Sequence, residues 1–407
     1  MHYAWLIVAL AVCSVSQGVE PNANDWPQWR GPSRDGHAVG EQWPDSLGEE
    51  RLVQQWRLEL GPSYSGPIVV GDRVLTTETR DKSTEVASAY DRRTGDKLWE
   101  REWPGAMKVP FFAATNGSWI RATPACDGET LYVVGMRDVL VALDVATGDE
   151  RWRMDFPKDH GTELPKFGGA SSPMLSGDYL YAQAGNGFAK IDKRTGELAW
   201  TVAPDGGGMS GGAFSSPAFT DQNGAQVALV QTRLELKGVD PNSGEEFWSQ
   251  PIEAFRGMNI LTPISYQGHY FTSAHTGRSQ LWKQAGKRLE EVWSNKSQAY
   301  MSSPVIVGDH LYLHLRNQRI QCLDLRTGQE AWRTRPYGKY QSSVVVGDRI
   351  LALDERGELL LYNASPEKFE LIDSRQVSDD ECWAHLAVCG GQVIVRELNA
   401  LTAYRWE

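Results

Sequence analysis

Ser302-Ser303-Pro304-Val305-Ile306-Val307-Gly308-Asp309 opens a unit that runs on to Asp324-Leu325-Arg326-Thr327-Gly328 and then to Trp332. Its pattern is that of strands. Val305 to Val307 and Leu311-Tyr312-Leu313 are short apolar blocks bounded by turn residues, without helical spacing. Gly308 suits the positive φ of a tight hairpin. The Asp324 or Thr327 side chain can bond the local backbone of the next turn, with Gly328 at its left-handed position. Trp332 then starts an outer strand, its ring large enough to pack against a neighbouring unit.

The same order recurs along the chain. Ser65-Gly66-Pro67 leads to Asp91, Thr94-Gly95 and Trp99; Thr123-Pro124 to Asp144, Thr147-Gly148 and Trp152. Ser172-Pro173 leads to Asp192, Thr195-Gly196 and Trp200; Ser216-Pro217 to Asp240, Ser243-Gly244 and Trp248. Thr262-Pro263 to Trp293 and Ser342-Ser343-Val344 to Ile372 are degenerate copies, and a partial copy starts near Ala384-His385-Leu386. A glycine follows the first strand in every copy: Gly71, Gly128, Gly177, Gly224, Gly268, Gly308, Gly347 and Gly390. The outer tryptophans Trp56, Trp99, Trp152, Trp200, Trp248, Trp293 and Trp332 are expected to dock between units, and their spacing of 39 to 53 residues is that of four-stranded propeller blades.

Eight first strands can be counted, but the last copy reaches Glu407 without an outer strand, while Val53 to Leu60, with Trp56, is an outer strand with no inner strands before it. The two halves complete one blade. The fold predicted is an all-β, eight-bladed β-propeller over residues 52–407, closed by pairing the N-terminal outer strand with the three C-terminal strands. Residues 19–51 form an arm expected to lie across the ring, held by Trp26, Trp29 and Trp43.

Composition agrees. The chain has 407 residues, 41% hydrophobic, with 16 Trp and 40 Gly, as a toroid rich in core rings and turns requires. Its formal charge of −11, without a basic block, disfavours a nucleic-acid partner. Residues 1–18 read as a cleaved signal peptide: Trp5 to Val12 is apolar but too short to span a bilayer, and Ser14 and Ser16 suit cleavage near Ser16 or Gly18. A periplasmic or extracellular location follows. Val12 before Cys13 disfavours a lipoprotein signal. Cys126, Cys322, Cys382 and Cys389 permit disulfides, although buried free thiols are favoured. Cys382 and Cys389 are expected at the two ends of one strand, ~23 Å apart and too distant to pair.

The repeat residues quoted above resemble the pyrroloquinoline-quinone (PQQ) repeat family over residues 52–407, and Asp25-Trp26-Pro27-Gln28-Trp29-Arg30-Gly31-Pro32 resembles the opening of exported bacterial members. The family has two branches: quinoprotein dehydrogenases, which oxidise alcohols or sugars with PQQ and Ca²⁺, and a cofactor-free propeller subunit of the outer-membrane β-barrel assembly machinery, which is a binding scaffold. The resemblance implies the fold and an envelope setting without choosing a branch.

The dehydrogenase branch carries a vicinal Cys-Cys pair and, in its electron-transfer fusions, CxxCH; neither occurs here. Glu163, Asp205, Glu253, Asp379 and Asp380 fall in loops but make no recognisable calcium set. His310 and His314, four apart on a strand, stand ~13 Å apart and do not form a metal pair. No catalytic or metal residues are assigned, and no cofactor is expected. Candidate ligand-binding residues lie on the segments that link blades and reach the axis: Tyr64, Trp119, Arg121, Phe167, Met209, Asn259, Tyr300, Tyr340, Gln341 and Trp383. This aromatic and Met-rich ring either plugs the funnel or binds a protein, small molecule or glycan there. The expected function is a non-catalytic exported binding scaffold. Its rivals are a PQQ- and Ca²⁺-dependent oxidoreductase and a carbohydrate-binding propeller using Trp119 and Trp383.

Overall fold

The computed structural model describes residues 25–40, 43–222 and 224–407. The leader of residues 1–18, its cleavage site and Cys13 lie outside the described residues.

Eight four-stranded antiparallel sheets form the blades. Seven are continuous in sequence, and the eighth combines Ala387–Cys389, Gln392–Arg396 and Ala400–Trp406 with Leu52–Glu59. The closing strand pairs Trp56 with Ala403 and Glu59 with Ala400. It begins one residue earlier than the predicted Val53. Blades 1 to 7 span 68–104, 125–155, 174–202, 218–251, 264–295, 305–336 and 341–376. Their middle strands are buried on both faces because each sheet packs against two neighbours. One apolar cluster, for example, joins Leu75 and Ala87 of blade 1 to Leu131 and Val141 of blade 2.

The outer tryptophans explain the recurrent turn. Trp56, Trp99, Trp152, Trp293 and Trp332 donate their indole N–H to a backbone carbonyl at the third turn of the next blade, at 3.1, 2.9, 2.9, 2.6 and 2.7 Å; Trp200 does so at 3.4 Å. For Trp99 and Trp152 the ring lies flat on the turn glycine, so that a Cβ at Gly148 or Gly196 would meet it at 2.6 or 2.7 Å. Those glycines therefore answer two demands, a positive φ and room for a ring. Trp248 differs. Blade 5 replaces the Asp-x-x-Thr-Gly turn with a tight hairpin between Ser279–Ala285 and Arg288–Asn295, so no such turn receives the ring. Trp248 packs instead over Gly238 of its own blade and on Tyr270 of the next, with ring centroids 4.9 Å apart and no acceptor for its N–H. Blade 7 carries Ile372 in place of a Trp. There the arm contributes Trp43, stacked on Trp406 at 5.5 Å, and Leu47, whose N–H donates to Asp373.

Inner strands are tied by the Ser/Thr-Pro motif. The hydroxyls of Thr123, Ser172, Ser216 and Ser303 accept from backbone N–H groups of Gly66, Thr123, Ser172 and Thr262 in the preceding blade segment, at 2.9 to 3.2 Å. The result is a circumferential belt around the axis.

The arm crosses the channel below this belt and touches all eight blades. Trp26 pairs with Val69, and the Pro27 carbonyl accepts from Cys126. Arg34 donates to the carbonyls of Pro173 and Pro217, Trp29 to Thr262, and Arg30 to the Pro304 carbonyl. Gly36 and Ala38 bond Val345, and the Trp29 ring meets His385 edge-on at 5.0 Å. Arg30 and Arg34 are buried, and among the described residues no carboxylate pairs with either guanidinium. Desolvation pushes them down to about 10 and about 9, and both stay charged at neutral pH. Carbonyl oxygens stand in for the lost water.

Cys126, Cys322, Cys382 and Cys389 are free and buried, and burial pushes each thiol up to about 12. The expectation for Cys382 is corrected: it precedes the short strand Ala387–Cys389 and does not cap it, because the inner strand of blade 8 is only three residues long.

Candidate funnel site

The blade-to-blade connections converge above the belt on a cavity of about 390 Å³. Trp29 forms its floor, with Arg30 and Arg34 beneath. Ser172, Ser216, Thr262, Ser302, Ser303 and Ser342 form the lower ring.

One wall is built from blades 1, 7 and 8. Tyr64 stacks on Trp383 with centroids 4.6 Å apart, and Tyr340 meets Trp383 edge-on at 4.6 Å. Burial pushes the Tyr64 hydroxyl up to about 12, so it remains a neutral donor. Arg121 stands beside it, donating to the carbonyls of Trp119 and Gly117 at 3.3 and 3.2 Å. Desolvation brings this guanidinium down to about 10. The opposite wall is phenylalanine: Phe112 lies edge-on to Phe167 at 6.2 Å, and Phe167 to Phe214 at 5.6 Å. Arg233 covers Phe214 and Phe167 at 4.8 and 5.3 Å while donating to the carbonyls of Met209, Arg256 and Gly257.

Among the described residues, the lining includes Arg121, Arg233 and Arg256 and no Asp or Glu. Among the described residues, Trp383 Nε1, Gln341 Nε2 and His385 Nε2 are sealed behind the lining without a hydrogen-bond partner. His385 Nδ1 donates to the Leu386 carbonyl, leaving Nε2 as an acceptor. Burial and the nearby Arg30 push this imidazole down to about 3.

Six of the residues singled out in the sequence line the cavity: Tyr64, Arg121, Phe167, Tyr340, Gln341 and Trp383. The other four do not. Trp119 supplies a carbonyl to Arg121, and its ring lies against Gly117 of the same link. Met209 is half exposed at the rim. Asn259 is buried, its amide donating to the carbonyls of Arg233 and Ile252. Tyr300 stands between His275 and Tyr340. Sequence reading missed Phe112, Phe214, Arg233, Phe255 and Arg256. Phe112 and Phe255 ride on short 3-10 turns, Phe111–Asn116 and Phe255–Gly257, inside the links between blades. Arg233 sits on the hairpin between the second and third strands, a turn that opens on the same face.

The loop carboxylates serve their own loops. Asp205 accepts from the N–H groups of Gly207 and Gly212, and Asp380 accepts from Asn399. The His314 imidazole bonds the Tyr337 carbonyl. Among the described residues no group of three or more His, Cys, Asp and Glu converges as a metal site, and no helix is long and apolar enough to cross a membrane.

Five large apolar side chains are exposed around the mouth: Phe111, Phe112, Met209, Leu234 and Phe255. Phe111 is 90% exposed.

Comparison with known proteins places the architecture. The chain is 24% identical over 275 residues to outer membrane protein assembly factor BamB of Shewanella oneidensis, covering 66% of this chain and 63% of that protein. It is 21% identical over 320 residues to the BamB of Yersinia pestis, covering 78% of this chain and 66% of that protein. The chain thus spans slightly under two thirds of both relatives. Among solved structures, BamB from Moraxella catarrhalis superposes with a TM-score of 0.63 at 14% identity, over 88% of this chain and 98% of that one. Quinohemoprotein alcohol dehydrogenase from Comamonas testosteroni gives a TM-score of 0.69 at 13% identity, over 94% of this chain and 80% of that one. At such identities these two likenesses speak to fold alone. The family model for outer membrane protein assembly factor BamB matches residues 82–334, more than half of the sequence, and the chain belongs to that family.

Proposed function

We propose that this protein is an exported, non-catalytic scaffold that holds a partner protein of the cell envelope against its funnel face. The observation that carries this reading is the exposed apolar rim of Phe111, Phe112, Met209, Leu234 and Phe255 around a formed cavity. A clustered apolar surface of this kind marks an interaction site. Membership of a family named for outer-membrane protein assembly supports it.

The reading excludes PQQ with Ca²⁺ as a resident cofactor. Calcium takes six to eight oxygen ligands, usually including carboxylates. Among the described residues, the funnel wall offers three arginines, one thiol at Cys382 and no carboxylate. These residues do not fit the ion. Carbohydrate stacking is also disfavoured, because Tyr64 covers one face of Trp383, Tyr340 abuts its ring and Trp119 lies outside the cavity.

The test is site-specific photo-crosslinking in a native envelope fraction. Probes at Leu234 and Phe255 should capture a discrete protein, while probes at Gly71 and Asp178, on the opposite hairpins, should not. Equal capture from both faces sinks the reading, as does stoichiometric uptake of PQQ with Ca²⁺.

A further inference from the structure

The arm is packed into the ring but is not built into it. Among the described residues it gives no strand to any of the eight sheets, and it meets blades 1 and 7 in isolated bridges at Val69 and Val345. Ring closure does not use it, because the closing strand Leu52–Glu59 follows the arm in sequence and pairs without it.

The ring's contribution is a set of backbone carbonyls. Pro173, Pro217 and Pro304 each stand one residue ahead of an inner strand, at the same place in the Ser-Pro motif. One guanidinium, that of Arg34, bonds the first two at 2.7 and 3.0 Å and the Ser172 carbonyl at 3.3 Å, and Arg30 bonds the third. The carbonyls of Val69, Ile306 and Val345 accept from the Trp26 N–H, the His37 imidazole and the Ala38 N–H at 2.7 to 2.9 Å. These acceptors lie on different blades, so the closed ring spaces them. The arm, by contrast, has a shape it would not hold alone. Arg30 and Arg34 both sit at a φ of +59°, a left-handed conformation costly for a residue with a side chain, and Gly31 and Gly36 are left-handed as well. Trp26, Arg30 and Arg34 are nevertheless buried. The channel imposes this conformation, as a binding site imposes one on an extended peptide. Beyond it the chain is open: Val39 is 52% exposed, and a side chain at Gly40 would meet nothing within 4 Å.

We infer that the channel, at the end away from the funnel mouth, is a peptide-binding site for an extended Trp-x-x-Trp-Arg-x-x-x-Arg segment, and that the chain's own arm occupies it as an exchangeable ligand. A guanidinium suits such a site because its five N–H donors reach several carbonyls at once. Two buried cations that no carboxylate neutralises limit the affinity, so the arm is held without being permanent. The inference stands apart from the rim reading, since it concerns the other end of the channel.

Full-length protein with a protease site inserted after Gly40 keeps every native residue. After cleavage the arm should stay with the ring at micromolar concentration, and a fluorescent peptide of residues 25–40 should exchange into it with saturable anisotropy. Melting of the cleaved protein should fall on dilution and rise with excess peptide, as mass action requires of a ligand of the folded state, and the uncut protein should show neither effect. The same peptide carrying Arg34→Met should bind at least ~30-fold more weakly, and with Arg34→Lys the affinity should fall between the two. A scrambled peptide controls for plain attraction to a chain of formal charge −11 and should not compete. Three outcomes overturn the inference: equal binding of the scrambled peptide, a cleaved arm that does not exchange, or a ring that unfolds irreversibly once the arm leaves. Crosslinking from Leu234 and Phe255 is a separate readout and should be unchanged by cleavage.

Discussion

Glycine and tryptophan meet repeatedly between blades, and this contact makes sharp demands. A Cβ at Gly148 would lie 2.6 Å from Trp99, at a φ of +76°. At Gly71 the φ is also positive, but nothing lies within 4 Å. Gly148→Ala should therefore lower stability by about 3 kcal/mol or more, from strain and overpacking together, and Gly71→Ala by only about 1 kcal/mol. Urea midpoints at constant m-value would measure both. His385 makes a second prediction. Its folded value of about 3 lies below the ordinary value of 6.5, so between those limits the unfolded chain binds a proton that the native chain does not. Its contribution to stability is lost as pH falls from about 6.5, by up to about 1.4 kcal/mol per unit. Asp138, raised to about 6 by burial, acts in the opposite sense. The comparison is therefore of slopes: His385→Gln should lose stability less steeply than the native protein between pH 6.5 and 4. The docking tryptophans and turn glycines were readable because repetition exposes them. His385 and Arg30 stand in the sequence motifs without a role, and Arg34 stands in none, because a single residue at a unique position has no period to betray its role.

The arm shows the same limit at the level of the element. Its three tryptophans announced an ordered segment, but nothing in Trp29-Arg30-Gly31-Pro32-Ser33-Arg34 spells a thread through the channel. Arg34 fills a place that only a long side chain with several donors can fill, bonding carbonyls of blades 3 and 4. Arg34→Met should cost about 3–5 kcal/mol, since buried carbonyls lose their donors, and Arg34→Lys should recover only part of it. Thermal melts of the three proteins would show the order. The blade links were legible as funnel-facing but not residue by residue. Short 3-10 turns carry no hydrophobic period, so Phe112 and Phe255 were passed over while the neighbouring Trp119 and Asn259 were chosen. The Ser/Thr-Pro motif was recognised as a marker of each inner strand. Its function as a belt requires knowing that successive blades stand side by side.

At the scale of the molecule, ring closure was deducible because an orphan outer strand at one end matched an incomplete blade at the other. Removing residues 1–60 deletes both the closing strand and the arm. The product should expose the open edge at Ala400–Trp406 and associate through it, giving larger species in size-exclusion chromatography. Repeat arrays ordinarily communicate only between neighbours. Here residues 25–38 contact every blade, so the intact ring should unfold in one transition, and the Arg34 variant should separate fluorescence and far-ultraviolet transitions that coincide in the native protein.

The same arm closes one end of the channel. With Trp29 as floor, the well has a single mouth, and that mouth is ringed by the apolar side chains proposed to seat a partner. A partner seated there would impose a compulsory order on loading. Whatever enters the well does so before the rim is covered, and whatever is inside leaves only after the rim is cleared. A covered well would retain its contents for as long as the partner stays bound, so that the lifetime of the inner complex is set by the outer one.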